Sequence, residues 1–213
     1  MIAEALAEHG LILRGGFVFS SKEEAPPGPS GAPARSVLLV GQAGAGPWPH
    51  FRKCLTNPLD SWARQVIGAV AARAGARAVS PSDRPFLPFQ QWAMRAEGLK
   101  PSPLGILMHP QYGLWHAYRG ALLFDHEIEI QQVQNPIHLC DLCAGKPCLN
   151  SCPAGAYSQV GFAYEGCLAH VRGENGAVCR GEGCMARNAC PYGTDYRYPA
   201  DEQAFHMASF AGL

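Results

Sequence analysis

The chain has 213 residues, 47% of them hydrophobic, with 17 basic and 17 acidic side chains and a formal net charge of zero. That length and apolar content suit one large domain, or a core domain with a smaller appendage. The balanced charge gives no general pull toward nucleic acid or an anionic membrane, although twelve basic stand against nine acidic residues up to residue 128 and five against eight after it.

In chain order, residues 2–9 carry acids early and no basic segment leads an apolar run, so they read as an amphipathic helix and not a signal peptide. No stretch reaches the roughly eighteen uninterrupted apolar residues of a membrane span, and a soluble, cytoplasmic protein is expected. Residues 17–19 form a short apolar patch suited to a strand. Residues 20–35, rich in Pro, Gly, Ser and Ala, read as a mobile surface loop. Residues 36–40 are a compact apolar run with the signature of a buried strand. The glycines at 41, 44 and 46 follow it in the wrong order for a dinucleotide fingerprint, and Pro47 and Pro49 are expected to keep a helix from starting, so a flexible turn is expected there and not a phosphate cradle.

A helix is expected over residues 57–75, with Trp62, Val66, Ile67 and Val70 on its core face, and another within 86–97 carrying Trp92. Residues 104–108 read as a strand, 109–113 as a turn, and 115–124 as a second strand paired to the first; incomplete alternation leaves a helix open there. This order favours an α+β sheet packed by helices. His109, Tyr112, Trp115, His116 and Arg119 gather amphipathic groups that can line a flat cofactor pocket, Arg119 holding a carboxylate, amide or phosphate edge. The plain alternative is a His-Pro turn, a core tryptophan and a surface ion pair. Asp125 and Asp195 are candidate proton donors or, more simply, caps and surface charges.

Of nine cysteines, Cys54 stands alone and eight lie between Cys140 and Cys190. A reducing compartment makes structural disulfides unexpected. The pattern is Cys140-x2-Cys143-x4-Cys148-x3-Cys152-Pro153, then Cys167, then Cys179-x4-Cys184-x5-Cys190-Pro191. Bacterial dicluster ferredoxins use closely spaced cysteines ending in Cys-Pro, the fourth ligand crossing to the other cluster. Applied here, Cys140, Cys143, Cys148 and the crossing Cys190 hold one [4Fe–4S] cluster, and Cys167, Cys179, Cys184 and the crossing Cys152 hold a second. The spacing is looser than the template. Structural zinc on four-cysteine sites, and one cluster with spare thiols, stay open. Cys54 reads as an ordinary thiol. His138 reads as a solvated loop histidine or as a donor to a cluster sulfur, Arg187 as a partner of cluster charge or of a partner carboxylate, and the aromatic tail 192–198 as packing over the clusters or docking on the core.

Two Cys-Pro motifs with the lone Cys167 between them resemble epoxyqueuosine reductases and their corrinoid-dependent relatives, the reductive dehalogenases; in those enzymes the intervening cysteine is also a ligand. Residues 103–123, with the His109-Pro-Gln-Tyr-Gly turn and the Trp115-His-Ala-Tyr-Arg119 segment, are similar to the cobalamin-side strand of CblC-type vitamin B12-processing proteins. The resemblance implies a nitroreductase-like α+β core (residues 1–128) joined to a dicluster ferredoxin-like lobe (residues 129–213), as in compact bacterial ferredoxin-type proteins. It implies two [4Fe–4S] clusters, with cobalamin against His109, Tyr112, Trp115 and Arg119 as a further cofactor. The expected function is single-electron transfer to or from a redox partner protein. The alternatives are a corrinoid- or flavin-dependent reductase fed by the clusters and acting on a small molecule, and a zinc-stabilised interaction module. The chain lacks length for a helical-repeat tRNA-binding extension and basic balance for RNA, so no nucleic-acid or membrane partner is expected.

Overall fold

The computed structural model describes residues 1–51, 58–130, 136–158 and 161–213; Cys54 lies outside them. The chain runs α1 (Ile2–Ala7), β1 (Ile12–Val18), β2 (Ser36–Ala43), α2 (Trp48–Phe51), α3 (Pro58–Arg73), β3 (Arg77–Val79), α4 (Phe89–Glu97), β4 (Lys100–Pro101), β5 (Leu107–Met108) and β6 (His116–Phe124). There follow α5 (Leu139–Leu142), α6 (Pro147–Asn150), β7 (Tyr157–Ser158), β8 (Gly161–Phe162), α7 (Tyr164–Arg172), α8 (Ala177–Glu182), α9 (Met185–Asn188) and α10 (Ala200–Ala211). Two units divide these elements: Met1–Leu99 with Ala117–Pro136, and Lys100–His116 with Ile137–Leu213. No described helix is long and apolar enough to cross a membrane.

The first unit is a mixed α/β layer built on a four-stranded sheet in the order β1-β2-β6-β3. β1 and β2 are antiparallel, with Leu13 opposite Val40 and Gly16 opposite Leu38, so one extra residue bulges from β1. Gly15 makes the bulge at φ +65°, where a Cβ would meet the Ala96 carbonyl oxygen at 2.9 Å. The two glycines hide the strand from a propensity reading, which is why it starts five residues before the apolar patch at 17–19. α4 packs on β1, Trp92 meeting Phe17 and Phe19 edge-on. α3 buries Val66, Ile67 and Val70, and Ile67 fits over Gly120, where a Cβ would lie 2.8 Å from its Cδ1.

Three expectations change. The strand at 115–124 forms, but it lies between β2 and β3, while β5 pairs with β4. A tight turn at Gly105 (φ +78°), closed by the Ser102 amide donating to the Ile106 carbonyl, folds residues 100–108 back on themselves. The loop at 20–35 is tied down: the Asp125 carboxylate accepts from the Ser30 amide at 3.0 Å and Arg77 donates to the Pro27 carbonyl at 2.7 Å. Finally, α2 does start at the Pro-Trp-Pro segment, because proline is tolerated in a first helical turn whose amides need no partner.

Within the first unit Arg14 is 2% exposed and donates through Nε and Nη2 to the two Glu97 oxygens, each at 2.8 Å. Its Nη1 donates to the Gln42 carbonyl at 3.3 Å, and the Tyr118 hydroxyl donates to Glu97. Burial, ahead of the Glu97 charge, pushes the Tyr118 hydroxyl well above its ordinary range. A buried guanidinium that loses its carboxylate is an uncompensated charge, a loss of roughly 3–5 kcal/mol. Glu97→Ala is therefore expected to lower unfolding stability by about that amount in urea denaturation, whereas Glu8→Ala on exposed α1 leaves the midpoint in place.

Candidate metal centre

The second unit's short elements set the cysteines. α5 carries Cys140 and ends at Cys143. Lys146, in the left-handed region at φ 37°, turns the chain into α6, which carries Cys148. Cys152 follows α6, Cys167 lies on α7 and Cys179 on α8, Cys184 precedes α9 and Cys190 follows it. All eight are free thiols.

They fall into two neighbourhoods. Cys140 feels the charges of Cys190, Cys148 and Cys143; burial first, then these neighbours, push its thiol up to about 11. Cys167 rises to about 11 likewise, through burial and then Cys184, Cys152 and Cys179. The groups that result are Cys140, Cys143, Cys148 and Cys190, and Cys152, Cys167, Cys179 and Cys184. All four thiols of the first group line one small cavity with Leu114 and Lys146. Leu104, Met108 and Leu114 pack with Cys140, Cys148 and Cys190 in one apolar cluster. Val171, Ala211, Met207 and Phe210 pack around Cys179 and Cys167.

Backbone amides are aimed at the sulfurs. Ala156 donates to Cys152 Sγ at 3.4 Å, and the amides of Leu149, Met185 and Tyr192 act on Cys148, Cys179 and Cys190, each lowering a thiol that burial has raised. Lys146 Nζ donates to the Cys140 carbonyl at 2.8 Å, beside the first group. The donor set is soft and thiol-only, which suits iron–sulfur clusters and zinc alike. Among the described residues no three or more His, Cys, Asp or Glu are placed to hold a metal ion. A single tetrahedral zinc draws its thiolates to about 2.3 Å from one point; a cube of irons and sulfides stands between its thiolates and holds them further apart. Two groups of four thiols, one of them around a cavity, supply the donors for either.

The remaining sequence candidates have local partners. His109 Nδ1 accepts from the Gln111 and Tyr112 amides, each at 3.1 Å, and its ring stacks on Tyr112 with centroids 4.1 Å apart. His116 Nε2 lies 2.8 Å from the Leu107 carbonyl oxygen. Trp115 is fully buried, with the Arg187 guanidinium 4.4 Å over its ring; Arg187 also donates to the Leu114 carbonyl at 2.6 Å. Arg119 belongs to the first unit, where its Nε donates to Gln42 Oε1 at 2.6 Å. His138 precedes α5, and among the described residues its buried Nδ1 has no hydrogen-bond partner. Asp125 caps the 20–35 loop, and Asp195 lies in a single turn after Gly193. Two neighbours of the thiols escaped the sequence reading. Lys146 is the one lysine after residue 100, a signal that its rarity offered. Tyr157, whose hydroxyl is raised by burial first and then by the charge of Cys184 and a hydrogen bond to it, had no such signal.

Gly113 and Gly193 let two backbones meet beside Cys190. A Cβ on Gly193 (φ +70°) would lie 2.2 Å from the Tyr112 carbonyl oxygen, while one on Gly181 meets nothing within 4 Å. Strain and clash together predict that Gly193→Ala lowers the stability of this unit by about 2 kcal/mol or more. Gly181→Ala, in a helix, is expected to be neutral or stabilising by about 0.5–1 kcal/mol. Thermal melts of the two variants beside the native protein check both.

No family model and no curated protein matches the chain. Among solved structures it is similar to a selenomethionine-labelled epoxyqueuosine reductase, at 14% identity and TM-score 0.52, over 80% of this chain and 52% of that one. It is similar to epoxyqueuosine reductase from Streptococcus thermophilus at 16% identity and TM-score 0.52, over 78% and 51%. An epoxyqueuosine reductase with a tRNA-Tyr epoxyqueuosine-modified stem loop aligns at 14% identity and TM-score 0.49, over 78% and 51%, too low to bring the RNA into the comparison. The chain spans about half the length of the reductases it matches, and at this identity the likeness is one of fold: a mixed α/β architecture similar to that of epoxyqueuosine reductases.

Proposed function

We propose that this is an iron–sulfur redox protein that passes single electrons through two [4Fe–4S] clusters, to or from a redox partner protein. Cys140, Cys143, Cys148 and Cys190 hold the first cluster, and Cys152, Cys167, Cys179 and Cys184 the second. Residues 129–213 then act as a dicluster ferredoxin-like lobe and residues 1–128 as a nitroreductase-like core. The sorting of eight thiols into two groups of four supports this reading above all, because it joins Cys190 to the first string and Cys152 to the second.

When bound, such clusters exchange one electron at a time at a potential set by charge, hydrogen bonds to sulfur and solvent exposure. The chain supplies those levers. The amides of Leu149, Tyr192, Met185 and Ala156 hydrogen-bond thiolate sulfur and stabilise its negative charge. Lys146 places a cation beside Cys140, and Leu104, Met108 and Leu114 keep water from the first group. Anaerobic reconstitution is expected to give a brown protein with about eight irons per chain. Cys148→Ser and Cys179→Ser, one in each group, are each expected to cut this to about half. A colourless protein with stoichiometric zinc overturns the reading, and four irons in the native chain overturn its second cluster.

A second reading draws on the fold likeness to reductases: the chain binds a corrinoid or flavin against His109, Tyr112, Trp115 and Arg119 and uses the clusters to feed it electrons. On that reading cobalamin added to the reconstituted protein changes its absorption spectrum and binds saturably. An unchanged spectrum, with no retention on gel filtration, leaves the electron carrier alone.

A further inference from the structure

Glu202, in the first turn of α10, is 0% exposed. Among the described residues neither of its carboxylate oxygens has a hydrogen-bond partner. One turn on, His206 Nε2 lies 3.8 Å from Oε1; the histidine side chain is 27% exposed, and its buried Nε2 has no hydrogen-bond partner either. Burying an unpaired carboxylate is costly, and an unsatisfied buried group in a native fold calls for a reason beyond packing. Gln or Leu would fill the same space with less loss.

The location supplies a reason. Met207, Phe210 and Ala211 of the same helix pack with Cys167 and Cys179. Gln203 lies against Gly183, next to Cys184. On the other side Tyr198, whose ring is 5.7 Å from that of His206, sits 4.7 Å from the guanidinium of Arg187, which lies in α9 between Cys184 and Cys190. Trp115 Nε1 and Arg187 Nε are likewise buried without acceptors. The carboxylate is thus held in a low-dielectric interior among the elements that carry the thiols, with a half-buried histidine between it and water.

We propose that Glu202 and His206 form a proton-binding site that couples proton uptake to reduction of the iron–sulfur centres. The inference rests on the proposed function above. One electron enters from a one-electron donor; one proton enters from solvent through the part-exposed His206 ring, whose buried Nε2 hands it to Glu202 Oε1, and both leave on re-oxidation. Added negative charge nearby favours the protonated pair, so the potential of the coupled centre falls as pH rises. Other charges come from the elements packed on α10 and from its own first turn. Arg172, Arg180 and Arg197 donate to backbone carbonyls and, with Arg187, stay charged throughout. Asp201, Glu182 and His170 are the competing titratable groups.

The test is a dithionite redox titration of the reconstituted full chain at several pH values, followed by electron paramagnetic resonance. The native potential of at least one centre is expected to fall with rising pH. Glu202→Gln is expected to flatten that slope at unchanged iron content, and His170→Gln to keep it. Redox-difference infrared spectroscopy of the native protein is expected to show a protonated carboxyl band on reduction, a readout that needs no variant. A pH-independent native potential, a slope retained in Glu202→Gln or lost in His170→Gln, or no carboxyl band overturns the proposal. Absence of iron overturns the function on which it rests, and the iron assay tells the two failures apart.

Discussion

Four thiols lowered into one apolar cavity can stay together as neutral S–H groups or as thiolates neutralised by a cation between them. Without a cation, burial and mutual repulsion favour the neutral form, and Cys140 and Cys167 are both pushed up to about 11. Yet the surroundings are arranged for charge: amide N–H groups aim at four of the sulfurs and Lys146 stands beside Cys140. Those donors are of little use to a neutral thiol and of considerable use to a thiolate. The rest of the second unit leans on the same groups. Its sheets are two-residue hairpins, α5, α6 and α9 are single turns, and cysteines take core positions that elsewhere fall to leucine or valine. A lobe of this kind has little apolar core apart from these groups.

The segment Lys100–His116 has a place in that economy which its position in the chain does not announce. It brings Leu104, Met108 and Leu114 to the first thiol group and offers the Leu114 carbonyl to Arg187. Its His109–Gly113 turn, closed by reciprocal backbone bonds at 2.9 and 3.0 Å, lies against Tyr192 and Gly193 so closely that no side chain fits between. The turn thereby fixes the chain just beyond Cys190, the cysteine furthest in sequence from its group. His109 and Tyr112 hold the turn's own shape, a task compatible with lining a cofactor but sufficient without one.

What the sequence made legible follows from how local each signal is. The cysteine strings were visible because their members stand a few residues apart and because Cys-Pro marks where each string turns away. α3 and α4 were readable from the spacing of Val66, Ile67 and Val70 and of Trp92 within their own turns. Strand partners were not, since the neighbours of β6 are chosen by contacts made tens of residues away, and β3 is only three residues long. The anchoring of residues 20–35 depends on Asp125 and Arg77, neither of which marks its target in sequence. Nothing near Glu202 in the sequence marks it as buried; only the fold shows that.

The crossing of cysteines between the strings bears on how such a lobe assembles. Cys190 joins a group whose nearest other member, Cys148, is 42 residues earlier; closing a flexible loop of that length costs on the order of 3 kcal/mol beyond a constant. Once that loop is closed, Cys152 is tethered four residues from Cys148 and Cys184 six from Cys190. The thiols of the second group are then already confined to a small volume, and the loop entropy lost in forming the first centre is not lost again for the second. Had each string kept all its own ligands, two independent closures would have been needed and either half could have folded alone. On the crossed assignment the two groups share one closed loop. The looser spacing of Cys179, Cys184 and Cys190 is tolerable for the same reason, because their positions are set by the closed frame of helices α7 to α10 more than by the distance between neighbours in the chain.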